Sequence, residues 1–91
     1  MAETFRTMGD PTRTHIIFYL SRGECQVGEL SRKVGVSLSN ISHQLRMLRG
    51  MGLVKYRRDG KFNYYQLDDH HIENLFSECY KHVRDLREGI F

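Results

Sequence analysis

Gly35 limits the fold more than any other residue. Before it, Val27, Leu30 and Val34 recur at helical spacing. After it, Ser37 is placed to cap a second run in which Leu38, Ile41, Leu45 and Leu48 form one apolar stripe, over about Leu38 to Met51. Helices this short are marginal alone in water, so each needs the other's apolar face. Two helices joined by a brief turn containing glycine form a helix-turn-helix.

The flanking sequence extends this unit on both sides. Ala2, Phe5 and Met8 would share a face of a short first helix. Gly9 breaks it, Asp10 is a good N-cap, and Pro11 suits the first helical position. A second helix then spans roughly Thr12 to Ser21, with Ile16, Ile17, Leu20 and Phe18 or Tyr19 as its apolar part, and ends at Gly23. Beyond Gly52, Leu53 to Arg58 and Lys61 to Leu67 read as two strands around Asp59-Gly60, a strong hairpin signal. The expected fold is mostly α (α+β): a winged helix-turn-helix in the order ααααββα, a single domain over 1–91.

The last quarter, Asp68 to Gly89, reads as an amphipathic helix. Ile72, Leu75, Phe76, Cys79, Val83 and Leu86 make its stripe, and packing is the expected role of Cys79. His71 and His82 lie at the stripe's edge, eleven residues apart. They share a face but are separated by about 16 Å along the axis at ~1.5 Å per residue. Cooperation between them requires a second copy of the helix. His70 is expected to face solvent and His15 to be structural.

Charge points to a partner. From Ser31 to Lys61 there are eight Lys/Arg and one acid; from Phe62 to the end there are three bases and six acids. A basic middle joined to an acidic end suits a phosphate-binding surface beside a cation-friendly region. With the stripe of the fourth helix turned inward, Ser39, Asn40, Ser42, His43 and Arg46 point outward and Gln44 lies at the boundary. Asn, Gln and Arg have the geometry to read base edges, and Ser37 and Ser39 flank a helix N-terminus that favours phosphate. An ordinary polar surface helix looks similar. The hairpin tip adds Arg57, Arg58 and Lys61, which are suited to backbone phosphates; charges on an edge hairpin also block sheet pairing. Together, in this order, the two features predict binding to double-stranded DNA.

The bulk features narrow the alternatives. No apolar run approaches a membrane span. The N-terminus does not read as a signal peptide, and the two cysteines form no CxxC pair, so a cytoplasmic protein with free thiols is expected. There is no HExxH and no nucleophile elbow, and an enzyme is not expected. A DNA-binding repressor answering to oxidation of Cys25 or Cys79, independent of metal, is the alternative reading.

The chain resembles the ArsR/SmtB family of bacterial metal-responsive repressors over nearly its whole length. The matching stretches are MGDPTR at 8–13, VGELSRKVGVSLSNISHQLRMLR at 27–49, GLVKYRRDGKFNYYQL at 52–67 and the final helix. The resemblance implies a homodimer joined through its N- and C-terminal helices, binding an inverted-repeat operator when free of metal. It also implies a metal site of pattern Asp-x-His, ten residues, His, two residues, then His or Glu. Asp69, His71, His82 and Asp85 fall in that register. Packed antiparallel, Asp69 and His71 of one chain would meet the partner's His82 and Asp85. Two imidazoles and two carboxylates suit Zn(II), with Co(II) or Ni(II) as substitutes. Asp69 is also a natural cap for the last helix, and Asp85 a natural surface ion-pair partner for an arginine of the partner chain, its Arg84 or Arg87. Asp85 stands where the family usually has His or Glu. The family's second, cysteine-based site is not expected, because Gln26 and Gly28 occupy its positions and Cys25 is out of register.

Overall fold

The computed structural model describes residues 1–89. Five helices and one hairpin follow in the expected order: α1 (Ala2–Met8), α2 (Pro11–Ser21), α3 (Val27–Val34), α4 (Leu38–Gly50), β1 (Val54–Asp59), β2 (Phe62–Leu67) and α5 (His70–Arg87).

Local chemistry sets the boundaries. The Asp10 carboxylate accepts from the backbone N–H of Thr12 at 3.1 Å, and Pro11 opens α2. The Glu29 carboxylate accepts from the Gln26 backbone N–H at 3.2 Å, closing the first turn of α3. Gly35 ends α3 at φ +82°, a left-handed conformation that glycine adopts without a steric penalty. The Ser31 hydroxyl donates to the Val36 carbonyl at 2.6 Å and fastens the turn into α4.

The core lies where α2, α3, α4 and the hairpin converge. Ile16, Ile17, Leu30, Ile41, Leu45 and Leu48 are wholly buried, each stabilising the fold by roughly 1.5–3 kcal/mol through removal from water. Leu53, Val54, Tyr65 and Leu67 close it from the hairpin side. Leu38 departs from the expectation. Its spacing puts it on the buried stripe of α4, but it is 58% exposed. It is the first helical residue, one turn before Ile41, at the edge of the stripe, where it borders a surface pocket with Gly28, Glu29 and Arg32 of α3. Three stripe residues carry the packing instead of four.

The hairpin is shifted by one residue from the expected register. Asp59 pairs with Phe62, so the two-residue loop is Gly60-Lys61. Gly60 has φ +62°, as the first central position of a type II′ turn requires. The glycine decides the turn, and Asp59 joins the strand. Beyond β2, Cys25 adds a short third rung: its N–H donates to the Tyr65 carbonyl at 3.0 Å, and the Tyr65 N–H donates back at 2.8 Å.

Helix α5 leans on α2 through aromatic contacts. Phe18 lies 6.3 Å from Phe76 and 5.4 Å from Tyr80, centroid to centroid. Ile72 and Phe76 are half-buried against the core. The rest of the stripe is open: Leu75, Val83 and Leu86 are exposed. Cys79, expected to pack, is exposed as well. A helix so amphipathic with no buried residue of its own has satisfied only one flank within this chain. No helix among the described residues is long and apolar enough to cross a membrane.

Candidate nucleic-acid interface and metal half-sites

The outward face of α4 begins at its cap. The Ser37 hydroxyl accepts the Asn40 backbone N–H at 3.1 Å and lies 3.3 Å from the Ser39 hydroxyl. Ser39, Asn40, His43 and Arg46 are exposed, while Ser42 and Gln44 are half-buried. The Gln44 side-chain amide donates to the Asn40 oxygen at 3.3 Å, so these two are pre-ordered one turn apart. Leu38, which periodicity alone assigns to the core, is exposed at the stripe's edge and borders a pocket with Gly28, Glu29 and Arg32 of α3 rather than this face. Its position as the first helical residue was the available signal.

The hairpin's two faces have different surroundings. Side chains alternate along a strand, and directly paired residues share a face. One face carries Val54, Tyr56 and Arg58 opposite Leu67, Tyr65 and Asn63. It packs on the core and toward α4, where the Arg49 guanidinium sits 4.6 Å over the Tyr56 ring. The other face carries Lys55, Arg57 and Asp59 opposite Gln66, Tyr64 and Phe62.

The three predicted wing cations therefore have different environments. Arg58 donates to the Gly60 carbonyl at 3.1 Å. Lys61 is exposed, with its ammonium 5.5 Å from the Phe62 ring. Among the described residues neither has a carboxylate partner. Arg57 is engaged in two parallel bonds to Glu24: its Nε donates to Oε2 at 2.8 Å and its Nη2 to Oε1 at 2.9 Å. That hydrogen bonding holds the Glu24 carboxyl below its ordinary range, against desolvation, and raises the Arg57 guanidinium above its own. Sequence reasoning missed Glu24, which lies 33 residues away in the chain.

The four predicted metal ligands sit on α5 as two separate pairs. At its start, Asp69 accepts the Ile72 backbone N–H at 2.9 Å through Oδ1, and His71 is exposed. Near its end lie His82, exposed, and Asp85, whose Oδ1 is 3.5 Å from the Arg84 guanidinium. No three potential ligands gather into one cluster among the described residues of this chain. Each end offers one imidazole and one carboxylate, half of a four-ligand set. His70 faces solvent, as expected, with its Nδ1 3.6 Å from Glu73. His15, expected to be structural, is exposed on α2. Ile16 and Ile17 take the inward positions and leave it outside.

Between the two half-sites lies an apolar groove of about 310 Å³, bordered by Phe5 and Met8 of α1 and by Leu75, Phe76 and Cys79 of α5. Cys25 is of a different kind. It is buried under the hairpin rung, and desolvation pushes its thiol above the ordinary thiol range.

The profile of the family described as "Bacterial regulatory protein, arsR family" matches residues 10–56. A transcriptional repressor SmtB homolog from Synechocystis is 45% identical over 93% of this chain. The match spans 64% of that relative's length. A cadmium resistance regulatory protein CadC homolog from Staphylococcus aureus is 37% identical, over 94% of this chain and 72% of its own. Among solved structures, the homodimeric winged helix-turn-helix DNA-binding domain of a possible ArsR-family regulator from Mycobacterium bovis superposes with a TM-score of 0.86 at 26% identity. The superposition covers 97% of this chain and 82% of that one.

Proposed function

The chain belongs to the ArsR family of bacterial regulatory proteins, and from that premise we propose that it is a homodimeric transcriptional repressor whose hold on operator DNA weakens when a divalent metal ion is bound between its two α5 helices. One observation carries this reading. The exposed stripe of α5 runs between two incomplete ligand pairs, one at each end of the helix. A twofold partner laid antiparallel along that stripe would cover Leu75, Val83 and Leu86, and the groove bordered by Phe5 would be covered with them. The same arrangement would bring each pair against its complement and give two equivalent sites, as an isologous interface requires.

The DNA-facing set in this proposal is Ser37, Ser39, Asn40, Ser42, His43, Gln44 and Arg46 on α4, with Arg58 and Lys61 on the wing. Two such helices in a dimer would enter successive major grooves about one helical turn, ~34 Å, apart.

Asp69 and His71 with the partner's His82 and Asp85 would hold the ion, and the donor set suits Zn(II), then Co(II) or Ni(II). Bound there, it supplies a cross-link between protomers. The Ile72 N–H occupies one oxygen of Asp69 and leaves the other for ligation. Closing two α5 helices on each other fixes the spacing of the two α4 helices, which α2 and α3 tie to α5 through the core. The coupling is reciprocal: operator must weaken metal binding by the factor by which metal weakens operator binding, commonly about 5–150-fold. The experiment is a zinc titration of the dimer, with and without the duplex upstream of its own gene. Equal affinities in the two titrations would remove the regulatory half of the proposal. The thiol-based alternative has less support, because Cys25 is buried, with its thiol pushed up by desolvation, and Cys79 borders the groove that the partner would cover.

A further inference from the structure

We propose that Arg57 is a positioning residue for the wing rather than a DNA contact, and that Glu24 is the anchor it works against. This rests on the DNA-binding reading above and refines which cations of the wing meet phosphate.

The geometry begins with the extra rung at Cys25. Cys25 pairs with Tyr65 on the outer edge of β2, so its neighbours Glu24 and Gln26 lie on the face opposite the core. Arg57 is on that same face, one strand further, paired with Tyr64. Its guanidinium crosses β2, 4.6 Å above the Tyr64 ring, and meets Glu24 side-on in two hydrogen bonds. Gln26, the cap residue of α3, donates to the Tyr64 hydroxyl at 3.3 Å. One layer of side chains, Glu24, Arg57, Tyr64 and Gln26, thus ties the strand that leads into the wing tip to the segment that starts the helix-turn-helix. Arg57 also reaches toward Asp59, 3.8 Å away. Two carboxylates beside it and a ring beneath it leave little of its charge for phosphate. Arg58 is on the opposite face, toward α4, and Lys61 is at the tip.

A tethered wing has consequences for affinity. A two-stranded ribbon is flexible by itself. Its useful cations meet backbone only if the ribbon leaves the core at the right angle, and a planar, bidentate Arg–carboxylate pair fixes direction as well as distance.

The test is a salt titration of affinity for mixed-sequence duplex DNA. Removing one cation from a phosphate lowers the slope of log affinity against log salt by about 0.9, or about 1.8 for a dimer. Arg58→Gln should show that reduction. Arg57→Gln and Glu24→Gln should each weaken binding several-fold with the slope unchanged. The charge exchange Glu24→Arg with Arg57→Glu should restore most of the affinity, an outcome closed to a residue whose positive charge touches phosphate. A slope reduction in Arg57→Gln equal to that in Arg58→Gln overturns the proposal. So does tighter binding by Glu24→Gln, which would mean that Glu24 sequesters Arg57 from DNA. A second readout needs no DNA. Amide exchange at Tyr65 N–H in the free protein should quicken in Arg57→Gln and return in the exchanged pair; an unchanged rate also overturns the proposal. If the wild-type protein shows no salt-dependent affinity, the DNA-binding reading fails, and amide exchange alone judges the clamp.

Discussion

Asp69 accepts the backbone N–H of Ile72 at 2.9 Å, two residues before His71. The carboxylate proposed to ligate metal is therefore already part of the helix start. Capping and ligation separate by substitution. Asn caps about as well as Asp, and Ala does not cap. Asp69→Asn should leave stability to urea nearly unchanged and weaken zinc binding. Asp69→Ala should weaken zinc binding and also cost about 1 kcal/mol. Zinc affinity unchanged in Asp69→Asn would make the residue a cap alone.

Complementation tests whether the metal sites form between protomers. His71→Ala and His82→Ala homodimers should each have two crippled sites. A mixed dimer of the two variants should regain one intact site, built from the unaltered His71 of one chain and the unaltered His82 of the other. Zinc stoichiometry by calorimetry reads this directly. A mixed dimer no better than either homodimer argues for sites within a single chain.

The exposed flank of α5 predicts an oligomeric state that depends on a few apolar residues. Val83 and Leu86 are about half exposed in the single chain and touch little of its core. Val83→Glu with Leu86→Glu should shift the protein from dimer to monomer in sedimentation, because two like charges would face their copies across a twofold seam. Helical content by circular dichroism should be retained. A dimer that withstands both changes would place the interface elsewhere.

Leu38 and Leu45 occupy the same helix, and sequence periodicity treats them alike. Leu45 is buried and Leu38 is open to solvent. Leu45→Ala should destabilise by about 2–5 kcal/mol through reduced burial and the cavity left behind. Leu38→Ala should change stability by less than about 0.5 kcal/mol. Equal losses of stability would return Leu38 to the core.

The two thiols should behave differently. At mildly alkaline pH a thiol reagent should label Cys25 only as fast as the fold opens and Cys79 only as fast as the two chains separate, so dilution should quicken Cys79 alone. Burial raises the Cys25 pKa in the folded state, so the fold prefers the protonated form. Its contribution to stability is complete below the thiol's ordinary pKa and is lost as pH rises through the higher folded value. Urea midpoints measured toward alkaline pH should fall less in Cys25→Ser, after allowing for that variant's lower starting stability. Rapid labelling of Cys25 at neutral pH would show that the rung with Tyr65 does not hold it.

The sequence by itself determined the elements, their order and most of the core. Apolar spacing, Asp10 before Pro11, Gly35 and Gly60 are local signals, and local backbone physics answers to them. It also placed the four proposed metal ligands in two pairs along one helix, since an α-helix converts sequence separation into distance. Tertiary structure decided what depends on neighbours distant in the chain. It left Leu38 exposed at the edge of its stripe beside α3, and His15 outside because two isoleucines face inward. It divided the stripe of α5 into a flank resting on α2 and a flank still open. It joined Glu24 to Arg57 across 33 residues by adding a rung to the hairpin, so three wing cations alike in sequence have different environments. Periodicity reports which side of an element is apolar; what stands against that side, and how much of it is covered, is set only when the whole chain packs.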